Sequence, residues 1–369
     1  MREVSERPAD AWDALLGGIG AGSEPLTGYY HVNFAVALPA ALADAVALPA
    51  GTVVKLRAPI PHAPQFNLRI WPEGDLLQAI EGRVDGAPRV LARRPGFTVH
   101  SFAAGRPLAA AGGAVPFARL GALWRQTAAV PRAALPPLPP AWPADGDCPG
   151  FAAALLGFAE TEIRGRNGRP FLDLFATLGI PDDAFARLRE RAGTVGHRPF
   201  VLLHTDVHRG NLIAGPGGAL ALIDWELALF GDPVYEIATH LSRMGYRTAA
   251  ERRTAHRAWH AAAGRLAGHR GALAFYRDLE AVQSLYTDVI RGMHTLLCAP
   301  DSPSAARAVA VRTHAVLHAA RTAAGLTRVP SLERTAAICR DWLRSPTPPT
   351  AGPAHRPPHP ATDDARSAA

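Results

Sequence analysis

From Gly28 the chain alternates apolar and polar positions. Val32, Phe34, Val36 and Leu38 share one face, as in a half-buried strand. Pro39 ends that run, Pro49-Ala50-Gly51 turns the chain, and Thr52–Arg57 reads as a second short strand. Pro59, Pro61 and Pro64 then block regular structure. Pro72 suits the start of a helix, with Leu76, Leu77 and Ile80 as its apolar stripe. Arg89–Leu91 and Thr98–Phe102 predict two further strands joined at Arg94-Pro95-Gly96. The first hundred residues therefore predict a small antiparallel sheet with one helix. Upstream of it, Trp12, Leu15 and Leu16 predict one face of a helix.

Gly105-Arg106-Pro107 reads as a joint, and beyond it the period changes from two to 3.6. Helical spacing covers 117–127, 151–164, 182–193, 233–244, 248–267, 270–297, 303–325 and 331–343. Two stretches break it. Residues 130–150 hold seven prolines and predict a loop or extended linker. Phe200–Trp225 predicts a strand, a loop and a hairpin. After Ser345 the Pro, Thr, Ala and His composition predicts disorder. The expected organisation is a sheet-bearing lobe over 1–104, a helical lobe over 105–345 and a Pro-rich tail over 346–369, an α+β fold.

Composition narrows the class. In 369 residues, 48% are apolar and 19% charged, enough for a sizeable core. No apolar run reaches the ~18 residues of a membrane span, and Met1–Trp12 lacks the apolar stretch of a signal peptide. Cys148, Cys298 and Cys339 are too scattered for a disulfide framework or a metal quartet. A cytoplasmic protein without a membrane partner is expected. The net charge of +7 is spread along the chain with no aromatic-interleaved basic box, so nucleic acid is not an expected partner. Of 39 Lys+Arg residues, one is a lysine, Lys55. In a chain that otherwise uses arginine, it is either incidental or a place where a compact ammonium does what a planar guanidinium cannot.

The chemistry concentrates in one stretch. The apolar run Val201-Leu202-Leu203 delivers His204-Thr205-Asp206, and Asn211 follows five residues after Asp206. Gly215-Pro216-Gly217-Gly218 turns the chain, and Ala219–Ile223 leads to Asp224-Trp225. A hairpin of this kind brings Asn211 on one arm near Asp224 at the end of the other. Phosphoryl transfer needs a carboxylate beside an acceptor hydroxyl and oxygen donors for a hard Mg²⁺ ion, and an Asn amide and an Asp carboxylate suit that ion.

His204–Asn211 resembles the catalytic loop of the aminoglycoside phosphotransferase and choline kinase-like family. Ile223-Asp224-Trp225-Glu226 resembles that family's metal-binding segment, and Gly231–Ala238 the stretch after it. The resemblance implies a two-lobed protein-kinase-like fold and a kinase that moves the γ-phosphoryl of ATP, or GTP, to a hydroxyl. It implies Asp206 as the catalytic base or hydroxyl-orienting residue, Asn211 and Asp224 as Mg²⁺ ligands, and His204 and Asp232 as supports. It places Lys55 on the α- and β-phosphates, with Glu73 as its partner and Asp75 and Glu81 as rivals. Gly28 opens the expected phosphate loop, Gly28–Asn33, and Val99, Ser101 and Phe102 form the expected hinge beside the base. Two positions depart from the family pattern: Thr205 stands where Gly is usual, and Glu236 where Asp is usual.

Two other classes compete. His204, Asp206 and His208 could be metal ligands of a hydrolase, but alternate residues of an extended segment span about 13 Å end to end. That reading also leaves Lys55 and Asn211 unexplained, and His240 and His256 are expected on surface-like helices. A nucleotide-binding pseudokinase without turnover is the second. The acceptor is expected to be a small-molecule or natural-product hydroxyl, neutral or anionic because the chain is basic, with a Ser or Thr of a modified peptide as the alternative. Tyr286, Asp288 and Arg291 are candidate acceptor-lining residues.

Overall fold

The computed structural model describes residues 11–12, 26, 28–61, 63–111, 114–268 and 270–344. Leu15 and Leu16 and the tail over 346–369 lie outside the described residues. The chain divides into two compact units, Met1–Phe158 with Leu188–Glu280, and Ala159–Arg187 with Ala281–Ala369.

The first unit opens with β1 (His31–Ala37), helix α1 (Ala40–Val46), β2 (Val53–Pro59), helix α2 (Glu73–Ile80), β3 (Val90–Arg94) and β4 (Phe97–Ser101). The strands form an antiparallel sheet in the order β1-β2-β4-β3. Val54 and Leu56 of β2 and Phe97 and Val99 of β4 bury one face against Leu38, Leu42 and Trp12. Lys55 and Arg57 therefore occupy the opposite face, because successive strand residues alternate. Lys55 lies opposite Ala35 on one side and His100 on the other. Helix α1 falls between Pro39 and Pro49, in a segment for which the periodicity predicted no element. Its Ala-rich sequence has high helix propensity, Leu42 anchors it, and Ala47 ends it in a left-handed conformation at φ 51°.

Downstream come β5 (Arg106–Pro107) and helices α3 (Leu108–Ala111), α4 (Phe117–Ala129), α5 (Cys148–Phe158), α6 (Leu172–Thr177) and α7 (Ala186–Ala192). The predicted helix over 151–164 is α-helical only to Phe158 and continues as π-helix over Ala159–Asn167. The Pro-rich stretch is tied to the first unit by side chains. Trp71 Nε1 donates to Pro137 O at 2.9 Å, Trp142 Nε1 donates to Phe230 O at 2.8 Å, and Phe200 N donates to Asp145 Oδ1 at 2.7 Å.

Four short strands follow: β6 (Val201–Leu203), β7 (Leu212–Ala214), β8 (Leu220–Leu222) and β9 (Leu229–Gly231). β7 and β8 form the predicted hairpin, and β5 joins its outer edge. Gly105 lets β5 approach, since a Cβ there would lie 2.2 Å from the Ala214 carbonyl oxygen and φ is +136°. β9 pairs with β6, an element the periodicity had not shown. Helix α8 (Pro233–Arg243) comes next, then α9 (Ala249–Ala263) and α10 (Arg270–Cys298). Pro233 opens α8 and the Asp232 carboxylate caps it, accepting from Val234 N at 2.9 Å.

The second unit adds α11 (Pro303–Ala320) and α12 (Leu332–Leu343). Phe175 and Phe185 pack on the buried Tyr286, with ring centroids 5.0 and 5.6 Å away, and Phe171 stacks on Trp342 at 5.2 Å. No helix among the described residues is long and apolar enough to cross a membrane.

Candidate active site

The loop predicted to be catalytic leaves β6 at Leu203 and turns sharply at Thr205, whose φ is +61°. A β-branched residue there is strained, and its neighbours over-determine it. The Glu236 carboxylate accepts from both His204 N, at 2.8 Å, and Thr205 N, at 2.9 Å. The Thr205 hydroxyl donates to Leu227 O at 2.7 Å. The two departures from the family pattern, Thr205 and Glu236, thus touch each other. Burial pushes the Glu236 carboxyl up to about 7, against the pull of those two N–H donors.

His204 is buried under Trp225, with ring centroids 4.7 Å apart. Its Nδ1 accepts from Asp206 N at 3.2 Å, so Nε2 carries the proton and donates to Ile223 O at 3.1 Å. Both ring nitrogens are committed, and burial lowers the pKa to about 4. A metal could bind His204 only by displacing one of these bonds, and the described residues contain no group of three or more His, Cys, Asp or Glu side chains arranged to hold an ion. The metallohydrolase reading does not assemble. His240, expected on a surface, is fully buried, with Nδ1 2.9 Å from Val207 O and Nε2 2.6 Å from Tyr246 OH. The expected surface-like helix is buried all round over Pro233–His240.

Both oxygens of Asp206 are held. Oδ1 accepts from Arg243 Nη1 at 3.0 Å, and Oδ2 accepts from Asn211 Nδ2 at 3.1 Å with His208 Nε2 at 3.5 Å. Burial works to raise its pKa, but the His208 hydrogen bond and the Arg243 charge outweigh it and hold the carboxyl well below the usual range. Asn211 Nδ2 also donates to Asp206 O at 3.0 Å. These two acceptors fix the amide orientation and leave its oxygen free to face a cation. The Asn211 carbonyl accepts from Ile223 N at 3.0 Å, which sets it beside the residue preceding Asp224.

Asp224 is a left-handed residue at φ +67°. Its side chain is 31% exposed, and Oδ1 lies 3.1 Å from Arg57 Nη1. Arg57 is the residue that sequence reasoning missed. It is 3% exposed and gathers Glu73 at 2.7 Å, Asp224, and Glu226 on one guanidinium. Glu73 Oε1 also accepts from Trp225 N at 2.7 Å. Burial raises the Glu73 pKa, and Arg57 opposes that rise. The expected partner of Lys55 is thus held by Arg57, two residues along the same strand face. Lys55 itself has no ion pair among the described residues, and burial, with the charge of Arg57, lowers its pKa. Asp75 instead pairs with Arg93 on the surface at 2.5 Å, and Glu81 follows the end of α2. The alternation of β2 was the available signal, because it places Arg57 on the face of Lys55.

The remaining predicted positions fall as follows. Gly28 begins a tight turn in which Asn33 Nδ2 donates to His31 O at 3.2 Å, and a Cβ at Gly28 would lie 2.3 Å from both atoms. Val99 is buried in the sheet core and is paired on both sides, with Leu56 and Ala92. Ser101 N donates to Arg89 O at 2.8 Å, and Phe102 is partly exposed just past β4. Asp232 caps α8 and also accepts from Arg198 and from Tyr276 OH. Tyr286 and Asp288 belong to the second unit, where Asp288 pairs with Arg312 at 2.6 Å.

Asn211 and Asp224 offer an amide oxygen and a partly exposed carboxylate. Hard oxygen donors few in number, completed by water and phosphate oxygens, are what Mg²⁺ takes at nucleotide sites, so the donor set fits that ion.

These features define a two-lobed, kinase-like α+β protein. The chain belongs to the phosphotransferase enzyme family (APH), whose sequence profile matches residues 53–276. The fold is shared with an ethanolamine kinase from Plasmodium vivax, 11% identical, with a TM-score of 0.53 over 85% of this chain and 84% of that one. A macrolide 2'-phosphotransferase from Brachybacterium faecium is 17% identical over 82% and 98% of the two chains, with a TM-score of 0.44. A thermostable mutant of aminoglycoside phosphotransferase APH(4)-Ia, in ternary complex with AMP-PNP and hygromycin B, is 17% identical over 90% and 99%, with a TM-score of 0.48. No curated protein matches in sequence.

Proposed function

We propose that the chain transfers the γ-phosphoryl of ATP to a hydroxyl of a small-molecule acceptor. The observation that carries this reading is the junction at Asn211. One side-chain amide donates to the Asp206 carboxylate, while the same residue's carbonyl is laddered to Ile223, next to Asp224. The side chain of Asn211 thereby reaches Asp206 while its backbone is tied next to Asp224.

Asp206 orients the acceptor hydroxyl and takes its proton as the new O–P bond forms and the bond to the leaving ADP oxygen breaks. Asn211 and Asp224 would hold magnesium, which when bound supplies positive charge to the phosphate oxygens. Lys55, with no ion pair among the described residues, contacts the phosphates from the sheet face, and Arg57 keeps Glu73 and Asp224 in place. The net charge of +7 favours a neutral or anionic acceptor over a polycationic one.

The test is a screen of hydroxyl acceptors with γ-labelled ATP, with GTP in parallel, on wild type and Asp206→Asn. Turnover should fall about 10²–10⁴-fold in the variant, while MgATP binding by calorimetry stays near wild type. Labelling of cationic aminoglycosides alone would overturn the acceptor class. MgATP binding without transfer or hydrolysis in wild type would favour the pseudokinase reading. Lys55→Arg keeps the charge and changes its shape, and activity close to wild type would remove the special role of the ammonium.

A further inference from the structure

Helix α8 grips the catalytic loop on both sides of one residue, Thr205. Glu236, in its first turn, takes the N–H groups of His204 and Thr205. Arg243, seven residues and about two turns further on, takes the Thr205 carbonyl at 3.1 Å and Asp206 Oδ1 at 3.0 Å through Nη1. The guanidinium is aimed in turn. Its Nε and Nη2 donate to Glu280 Oε2 at 3.2 and 3.0 Å, and the other oxygen of that buried carboxylate accepts from Tyr235 OH at 3.0 Å. A planar fork fixed on one edge by a carboxylate presents its other edge in one direction only.

We propose that Arg243 is a positioning residue that acts through Asp206, fixing the rotation of its carboxylate so that Oδ2 faces Asn211 and the acceptor. Glu280 and Tyr235 are the second link of the same chain of contacts. The inference rests on Asp206 being the hydroxyl-facing residue of the proposed phosphotransferase. Asn211 and His208 both reach Oδ2 and neither reaches Oδ1, and a carboxylate held at one oxygen still swings about it. Arg243 removes this freedom and ties the carboxylate to the backbone carbonyl one residue earlier, so side chain and loop move as a unit.

The experiment uses the full chain and MgATP, with ADP release as the readout, plus transfer to any acceptor the screen yields. Arg243→Met should lower kcat about tenfold or more with KM for MgATP within about threefold, since misorientation costs chemistry and not nucleotide binding. In an Asp206→Asn background the same substitution should cost less than about twofold further, because a residue acting through another has nothing left to act on. Arg243→Lys should recover part of kcat, as it can reach Asp206 but cannot also fork onto Glu280. An unchanged kcat in folded Arg243→Met, or a further tenfold loss in the Asp206→Asn background, would overturn the proposal. Should Arg243→Met not fold, Glu280→Gln takes its place, with about a threefold loss of kcat expected and the same masking by Asp206→Asn. Wild type without ADP release or transfer would defeat the phosphotransferase reading instead. The Arg243–Asp206 link is then decided by urea midpoints, where non-additive shifts of the two single variants support it and additive shifts overturn it.

Discussion

Two arginines organise the site, and they are set differently. Arg57, on the sheet, is one positive charge against three carboxylates, those of Glu73, Asp224 and Glu226. Arg243, at the end of α8, faces two, those of Asp206 and Glu280. Lys55 shares the strand face with Arg57, and its charge acts on the same three carboxylates, while His208 reaches Asp206 beside Arg243. Arg57 is also the more deeply buried, at 3% against 25% side-chain exposure. One arginine thus gathers three carboxylates from two distant parts of the chain, and the other sets one carboxylate against a second.

The comparison can be broken by removing each arginine. Arg57→Met leaves three buried or partly buried carboxylates uncompensated and should cost about 3–5 kcal/mol in urea unfolding. Arg243→Met should cost less, and a cost equal to or above that of Arg57→Met would remove the asymmetry.

A second measurement bears on Glu236, which has no cation paired to it. Its folded pKa is raised to about 7 from 4.5, so its contribution to stability is complete below 4.5 and is lost as pH rises through 7. Glu236→Gln keeps an acceptor for the two N–H groups and removes the titration. Between pH 5 and 7.5, wild type should lose on the order of 2 kcal/mol relative to this variant. The buried histidines, lowered to about 4 at His204 and His240, lose stability in the opposite direction, as pH falls below 6.5. They are common to both proteins and cancel in the difference.

The smallest expected effect is at Thr205. Glycine there relieves the left-handed strain but loses the hydroxyl bond to Leu227 O. Thr205→Gly should change stability by less than about 1 kcal/mol, and Thr205→Ala, which keeps the strain and loses the bond, should be the worse of the two. The reverse order would show that the loop is not held in the left-handed turn.

Legibility followed sequence distance. Asp206, Asn211 and Asp224 stand within one hairpin, and a local motif with a turn in it announces itself. The alternation of β1 and β2 and the stripe of α2 were equally plain, because each buries one face. Arg57 was not, since its contact with Asp224 joins residues 167 apart and arginine is the commonest charge in this chain. Arg243 and Glu280 escaped for the same reason. They are two unremarkable charges on separate helices, and only packing makes them a pair. His240 misled because a buried histidine needs internal partners, and those, Val207 O and Tyr246 OH, are set by packing. The strand β9 is three residues long, too short to show a period.

The ammonium at Lys55 has a practical corollary for labelling chemistry. Along these 369 residues it is the one side-chain primary amine, and burial shifts it toward the uncharged, nucleophilic form. An acylating reagent that reaches the sheet face would mark each molecule at a single internal point. Beyond any label on the chain's α-amine, the mass added at Lys55 would then count unshielded molecules, and a nucleotide seated over that face would reduce the count.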